Sequence, residues 1–274
     1  MVTFQQIPST SSTVNLYEVT YQSGPYQVKG CLGKPVKQTA ILPGLLYLRG
    51  GYKSFGMVSK EWVTTLAKEG YVVFAPYYRG NEGGEGSEDF IGEDREDAAA
   101  AFDILAGLEE VDERRIHVMG FSRGGAMALF TAISRPQSSS VIVWSGVTDM
   151  RMTYEEREDL QKTFRKVTGG TPAQEPEEYE RRTPLKYIEN LSVPLLIIHS
   201  RKDENVSINH AYLLQREMEK YETPCEAKIY NDFSHHLNDL DRKKVLQEAC
   251  DWMKKWEGNK RKDASKAPFS SFKL

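Results

Sequence analysis

The chain has 274 residues, 39% apolar and 27% charged, with a formal net charge of -3; that length suits one large α/β domain or two small ones. The charge gives no reason to expect nucleic acid or an anionic membrane as partner, and no run approaches the roughly 18 apolar residues that span a bilayer. The polar start, Met1 to Thr13, lacks the regions of a signal peptide, and three scattered cysteines without metal-ligand spacing predict reduced thiols, no metal and a cytoplasmic setting.

Taken in order, Asn15 to Thr20 and Tyr26 to Leu32 read as two strands joined by the turn Ser23-Gly24-Pro25, an antiparallel hairpin at a sheet edge. Gly44 to Leu48 is a short apolar strand running into the turn Arg49-Gly50-Gly51-Tyr52. A helix with Val58, Trp62, Val63, Leu66 and Ala67 on one face follows, and Gly70 ends it. Tyr71 to Ala75 is the next strand. The loop from Pro76 to Gly86 is glycine-rich, but it lacks the lysine and spacing of a phosphate-binding loop. A helix is expected from about Glu93 to Leu105.

Ile116 to Met119 is a strand, and the periodic run Ala126, Leu129, Phe130, Ile133 is a helix. Between them lies Gly120-Phe121-Ser122-Arg123-Gly124, a G-x-S-x-G turn. In a strand–turn–helix setting this pattern is a nucleophile elbow, with Ser122 pushed out over the sheet edge. Val141 to Trp144 is another strand. Residues 150–190 are highly charged and break the alternation, so they read as a small cap-like insertion rather than a domain. Leu195 to Ile198, a helix from Asn209 to Tyr221, the strand Ala227 to Tyr230 and a final helix complete a core spanning about 15–257, followed by a polar tail at 259–274. The chain is expected to form a single domain over 1–274: a mostly parallel eight-stranded α/β sheet with helices on both faces.

In such sheets ligands bind beyond the carboxyl ends of the strands. Gly51, Ser122, Asp149, Asp203 and His235 all follow strands and should share that edge. A serine hydroxyl needs a base within hydrogen-bond reach. His117 lies inside a strand, His199 ends one, and His210 sits on a helix and is expected to be exposed. His235 and His236 follow the last strand, and His235 is the favoured base, with His236 assigned to packing or loop hydrogen bonds. The carboxylate that fixes the histidine tautomer is Asp203, with Asp149 and Glu204 as alternatives. The order Ser122, Asp203, His235 matches that of α/β-hydrolases. Two oxyanion donors are expected, the Arg123 amide and, from the glycine turn, the Gly51 amide, with Tyr52 next in line.

These residues and several others together resemble the catalytic domain of the prolyl oligopeptidase (S9) family of serine peptidases. The matching pieces include Leu48-Arg49-Gly50-Gly51, Pro76-Tyr77-Tyr78-Arg79-Gly80, Gly92-Glu93-Asp94, Tyr179 to Leu185, Asp203-Glu204-Asn205-Val206 and Ser234-His235-His236. The resemblance implies the α/β-hydrolase fold, with Ser122 as nucleophile, Asp203 as acid and His235 as base. Large members of the family carry an N-terminal β-propeller. Here the hydrolase fold begins near residue 15, so a stand-alone catalytic domain is expected. Many relatives have histidine or tyrosine where this chain has Arg49. Arg49 is expected either to bind a substrate carboxylate, with Tyr52 beside it, or to pair with an acid of the loop at 82–88.

The resulting expectation is a serine hydrolase that cleaves an ester or peptide/amide bond of a small substrate through an acyl-enzyme, with no cofactor. The second reading is a non-catalytic member of the fold that binds a ligand or acts as a scaffold. A fluorophosphonate probe separates the two.

Overall fold

In a computed structural model, residues 2–36 and 40–257 are described. The polar tail expected at 259–274 lies outside them. Nine strands form one sheet: β1 (Thr3–Ile7), β2 (Val14–Ser23), β3 (Tyr26–Pro35), β4 (Leu42–Leu48), β5 (Val72–Pro76), β6 (Val111–Phe121), β7 (Ser140–Trp144), β8 (Leu195–Ser200) and β9 (Cys225–Tyr230). Their order is β1-β2-β3-β5-β4-β6-β7-β8-β9. The first three are antiparallel to their neighbours, and β5 through β9 are parallel. All nine strands among the described residues belong to this sheet.

The ninth strand, one more than expected, is β1. It pairs with β2 along its backbone, its side chains are exposed apart from Ile7, which is half-buried against the core, and it carries no apolar alternation to read. The two strands that follow are also longer than their apolar runs.

The helices are α1 (Lys60–Lys68), α2 (Arg95–Ala106), α3 (Arg123–Ser134), α4 (Met150–Glu156), α5 (Gln161–Thr168), α6 (Pro176–Glu180), α7 (Asn209–Met218) and α8 (Asp239–Lys254). Alternate residues of each parallel strand feed two cores. Leu46, Leu48 and Val118 pack with α2, α3 and α7, while Leu45, Tyr47 and Met119 pack with α1 and α8. Covering both faces in this way removes nearly all water from β4, β5, β7 and β8, which is why they read as continuous apolar runs.

The segment at 150–190 holds α4, α5, α6 and two short 3₁₀ turns, more helix than its two readable patterns suggested. It packs through Phe164, which is buried 4.8 Å from Phe90, and through Tyr187, 5.7 Å from Phe130. Phe164 and Tyr179 are buried, and Tyr154 and Tyr187 half-buried. Arg182 ties the segment to the 89–94 loop by donating to the Asp89 carbonyl at 3.4 Å, and it braces α5 within the segment by donating to the Val167 carbonyl at 3.3 Å.

His210 is fully buried rather than exposed, and its Nδ1 sits 3.1 Å from the Thr148 amide. The face of α7 that carries it packs onto the turn after β7, a contact that helical periodicity does not reveal.

Candidate active site

Register brings the strand ends together. Leu48 pairs with Gly120, Phe121 with Trp144, Trp144 with Ile198, and Ser200 with Tyr230. The loops carrying Gly50, Ser122, Ser145, Asp203 and His235 therefore leave the sheet along one edge.

Ser122 sits between β6 and α3 with φ 56° and ψ -124°, a backbone region that costs a non-glycine residue about 1–3 kcal/mol. The surroundings hold it there. Its amide donates to the Trp144 carbonyl at 3.0 Å, and its carbonyl accepts from Gly125 at 2.9 Å and Val147 at 3.1 Å. The flanking glycines are steric requirements, because a Cβ on Gly120 would run into the Gly124 carbonyl and a Cβ on Gly124 into the Leu48 carbonyl. Gly50 lies directly against the serine, where an added Cβ would come within 2.7 Å of the Ser122 Cβ. The glycine turn and the elbow are thus in contact, and any larger residue at 50 would push them apart.

His235 is buried, and its Nδ1 lies 2.9 Å from both carboxylate oxygens of Asp203. Its ring rests on Phe121, with centroids 4.8 Å apart, which puts it beside the residue preceding Ser122. Among the described residues, no hydrogen bond joins the Ser122 hydroxyl to this imidazole. Burial pushes the Asp203 carboxyl up, but the hydrogen bond and charge of His235, the Val206 amide and the Ser145 hydroxyl outweigh it and leave the group below its ordinary value. Asp203 Oδ1 also accepts from the amides of Asn205 at 3.0 Å and Val206 at 2.9 Å, so the loop's own backbone aims the carboxylate. His199 braces the same loop through the Val206 carbonyl at 2.9 Å.

The alternatives occupy other positions. Asp149 caps α4, accepting from the amides of Arg151 at 2.8 Å and Met152 at 3.0 Å. Glu204 accepts from the His235 backbone amide at 3.0 Å, so it holds the loop rather than the ring. His236 is exposed and stands edge-on to His235 at 5.0 Å. Burial and the neighbouring His235 both lower its basicity.

The amides of Gly51 and Arg123 donate to no other described residue. Gly51 has φ +69°, and a Cβ there would collide with the Phe55 carbonyl, so the turn requires glycine. Tyr52 is half-buried, and its hydroxyl donates to the Glu88 carbonyl at 3.1 Å.

Arg49 does not reach into open space. It is 1% exposed, it pairs with Glu88, and it donates to the carbonyls of Gly50 at 3.0 Å and Tyr77 at 3.1 Å. Its expected role in binding a substrate carboxylate is therefore corrected: the partner is the acid of the 82–88 loop. Glu88 also meets Arg123, whose Nη1 is 2.6 Å from Glu88 Oε2 and 3.2 Å from Asp94 Oδ2. Burial pushes the Asp94 carboxyl up to about 7, even against the attraction of Arg123. Both guanidinium groups lie over the Tyr78 ring, Arg49 5.1 Å and Arg123 4.9 Å from its centroid. Sequence reasoning missed Asp94 and Ser145 at this site. The only readable sign of the buried cluster was an arginine next to an acidic loop.

A cleft of about 410 Å³ opens beside the glycine turn, walled in part by Lys53, Met57, Arg79, Asn81, Glu82 and Glu88. Its walls do not include Ser122 or His235.

A largely parallel sheet covered on both faces, with a serine on a positive-φ elbow, defines a serine hydrolase of the α/β-hydrolase class. The chain belongs to the prolyl oligopeptidase family (peptidase S9), whose defining pattern matches residues 58–260. It is 46% identical over 251 residues to the Bacillus subtilis (strain 168) protein named uncharacterized peptidase YtmA, covering 91% of this chain and 97% of that protein. Among solved structures, the acylaminoacyl peptidase of Pyrococcus horikoshii superposes with a TM-score of 0.77 at 22% identity, over 93% of this chain and 43% of that one. The acetyl xylan esterase from Paenibacillus sp. R4 superposes with a TM-score of 0.75 at 17% identity, over 93% of this chain and 88% of that one. The last two likenesses concern the fold. No helix among the described residues is long and apolar enough to cross a membrane.

Proposed function

We propose that this hydrolase cleaves an ester or peptide/amide bond of a small substrate through an acyl-enzyme on Ser122. The observation that carries the reading is the His235–Asp203 pair at 2.9 Å, lying against the strained elbow. His235 Nε2 takes the proton of the Ser122 hydroxyl as its oxygen attacks the carbonyl. Asp203, bonded at Nδ1, holds the ring in the tautomer that leaves Nε2 free to accept and stabilises the imidazolium. The amides of Gly51 and Arg123 receive the negative oxygen. Collapse expels the leaving group, which takes the proton from His235. Water, activated by the same imidazole, then releases the acid and restores the serine. The serine–histidine hydrogen bond tightens when substrate fills the site, as happens in enzymes whose unliganded contacts are long.

The relatives fit either bond type: YtmA is named a peptidase, and the Paenibacillus structure is of an esterase. Acyl transfer through a serine serves both. Residues 150–190 act in this reading as a partial cap on a single domain, anchored by Phe164 on Phe90. A cytoplasmic setting belongs to the same reading, and Cys31, Cys225 and Cys250 are free thiols.

A fluorophosphonate probe tests the nucleophile. The wild type labels and Ser122→Ala does not; equal labelling of both refutes it. A panel of p-nitrophenyl esters beside aminoacyl and prolyl p-nitroanilides then assigns the bond.

A further inference from the structure

Glu88 has a buried carboxylate that bridges two arginines. Oε1 accepts from Arg49 and from Asn81, and Oε2 lies 2.6 Å from Arg123 Nη1. Each arginine belongs to a turn that supplies one amide of the oxyanion hole assigned above. Arg123 carries one of those amides itself. Arg49 controls the other, because its Nη1 donates to the Gly50 carbonyl at 3.0 Å, and that carbonyl shares a peptide plane with the Gly51 N–H. A trans peptide points its C=O and N–H in opposite directions. Holding the oxygen inward therefore aims the Gly51 amide outward, toward the side where a substrate carbonyl would sit.

The guanidinium of Arg49 is itself fixed, since Nη2 and Nε both donate to the Tyr77 carbonyl, at 3.1 and 3.3 Å. The whole assembly is dry: Arg49 and Arg123 are 1% exposed and Glu88 is 3% exposed. A buried ionic bridge adds little to stability, because the cost of removing the charges from water offsets most of their attraction. A fixed spacing between the end of β4 and the start of α3 is what such a bridge supplies and an apolar contact would not.

We propose that Glu88 is a positioning residue: its one carboxylate, bound to both arginines, sets the separation and direction of the two oxyanion amides. The proposal rests on the assignment of Gly51 and Arg123 as those donors. Glu88 itself touches no substrate.

The test compares an oxygen ester with the matching thionoester in wild type, Glu88→Gln and Arg49→Lys. Sulfur is larger than oxygen and a weaker acceptor, so a hole shaped for an oxyanion discriminates against the thionoester. Glu88→Gln should lower kcat for the oxygen ester about 10²-fold, the size of losing one donor, with KM little changed. The oxygen-to-thiono ratio should fall with it. Arg49→Lys keeps a charge opposite Glu88 but cannot reach Gly50 and Tyr77 together, so it should lower the ratio as well. It also supplies the answer if Glu88→Gln does not fold. An unchanged ratio in the folded variants overturns the proposal, even where kcat has dropped, because a general loss of structure slows both esters alike. Absence of discrimination in the wild type refutes the oxyanion hole itself. Hydrolysis surviving Ser122→Ala refutes the nucleophile instead.

Discussion

Asp94 gives a prediction about stability that can be worked from the structure. Its carboxyl is fully enclosed, and burial raises it from 3.8 to about 7 although Arg123 Nη1 is 3.2 Å away. Between those two values the folded chain holds a proton that the unfolded chain has released. Stability therefore falls as pH rises through this window: the contribution of this group is whole below pH 3.8 and lost by about pH 7. A gap of about 3 pKa units corresponds to on the order of 4 kcal/mol. Asp94→Asn replaces the carboxyl with a neutral group of the same shape and removes this dependence. Urea denaturation of both proteins from pH 4 to pH 8.5 checks it. The stability difference should move steadily in favour of the variant up to about pH 7 and level off beyond. A pH-independent difference would refute the reasoning. A difference that moves against the variant would show that the ion pair with Arg123 outweighs burial.

Five further substitutions separate roles at the same edge. Asp203→Asn should lower kcat about 10⁴-fold, the size of losing the group that fixes the histidine tautomer, whereas Asp149→Ala should cost about 1 kcal/mol of stability as a lost helix cap and leave fluorophosphonate labelling in place. Labelling kinetics and thermal melts on both variants read the two effects independently. Arg49→Ala should destabilise the fold by about 3–5 kcal/mol, because Glu88 loses a buried partner, and it should slow acidic and neutral esters by the same factor. A KM rise confined to acidic esters would restore the substrate-binding role. His235→Ala should abolish labelling while His236→Ala keeps it, because only His235 is bonded to Asp203; equal losses would refute that choice.

The strand–turn–helix around Ser122 was legible because its signals are local. Gly120 and Gly124 are required by contacts within the elbow and the strand next to it, and the apolar runs on either side have the periods of a strand and a helix. The edge strand β1 was not legible, since it is held mainly by backbone pairing and only Ile7 among its side chains is half-buried. The burial of His210 was hidden for a related reason: its partner, Thr148, lies 62 residues away in the sequence.

Chain order alone put Gly51, Ser122, Asp203 and His235 after strands, and in a parallel sheet every such position emerges at the same edge. That much is set by local patterns, because the direction of each strand follows from its connections. Which neighbours meet at the edge is a different matter. Asp203 rather than Asp149 faces the imidazole because β8 lies next to β9 and its loop amides aim the carboxylate, while the same type of side chain one strand earlier is taken up by the first turn of α4. Arg49, Glu88, Arg123 and Asp94 became one buried cluster only through folding. Charges distant along the chain attract strongly once water is excluded between them, and no spacing in the sequence records where that happens.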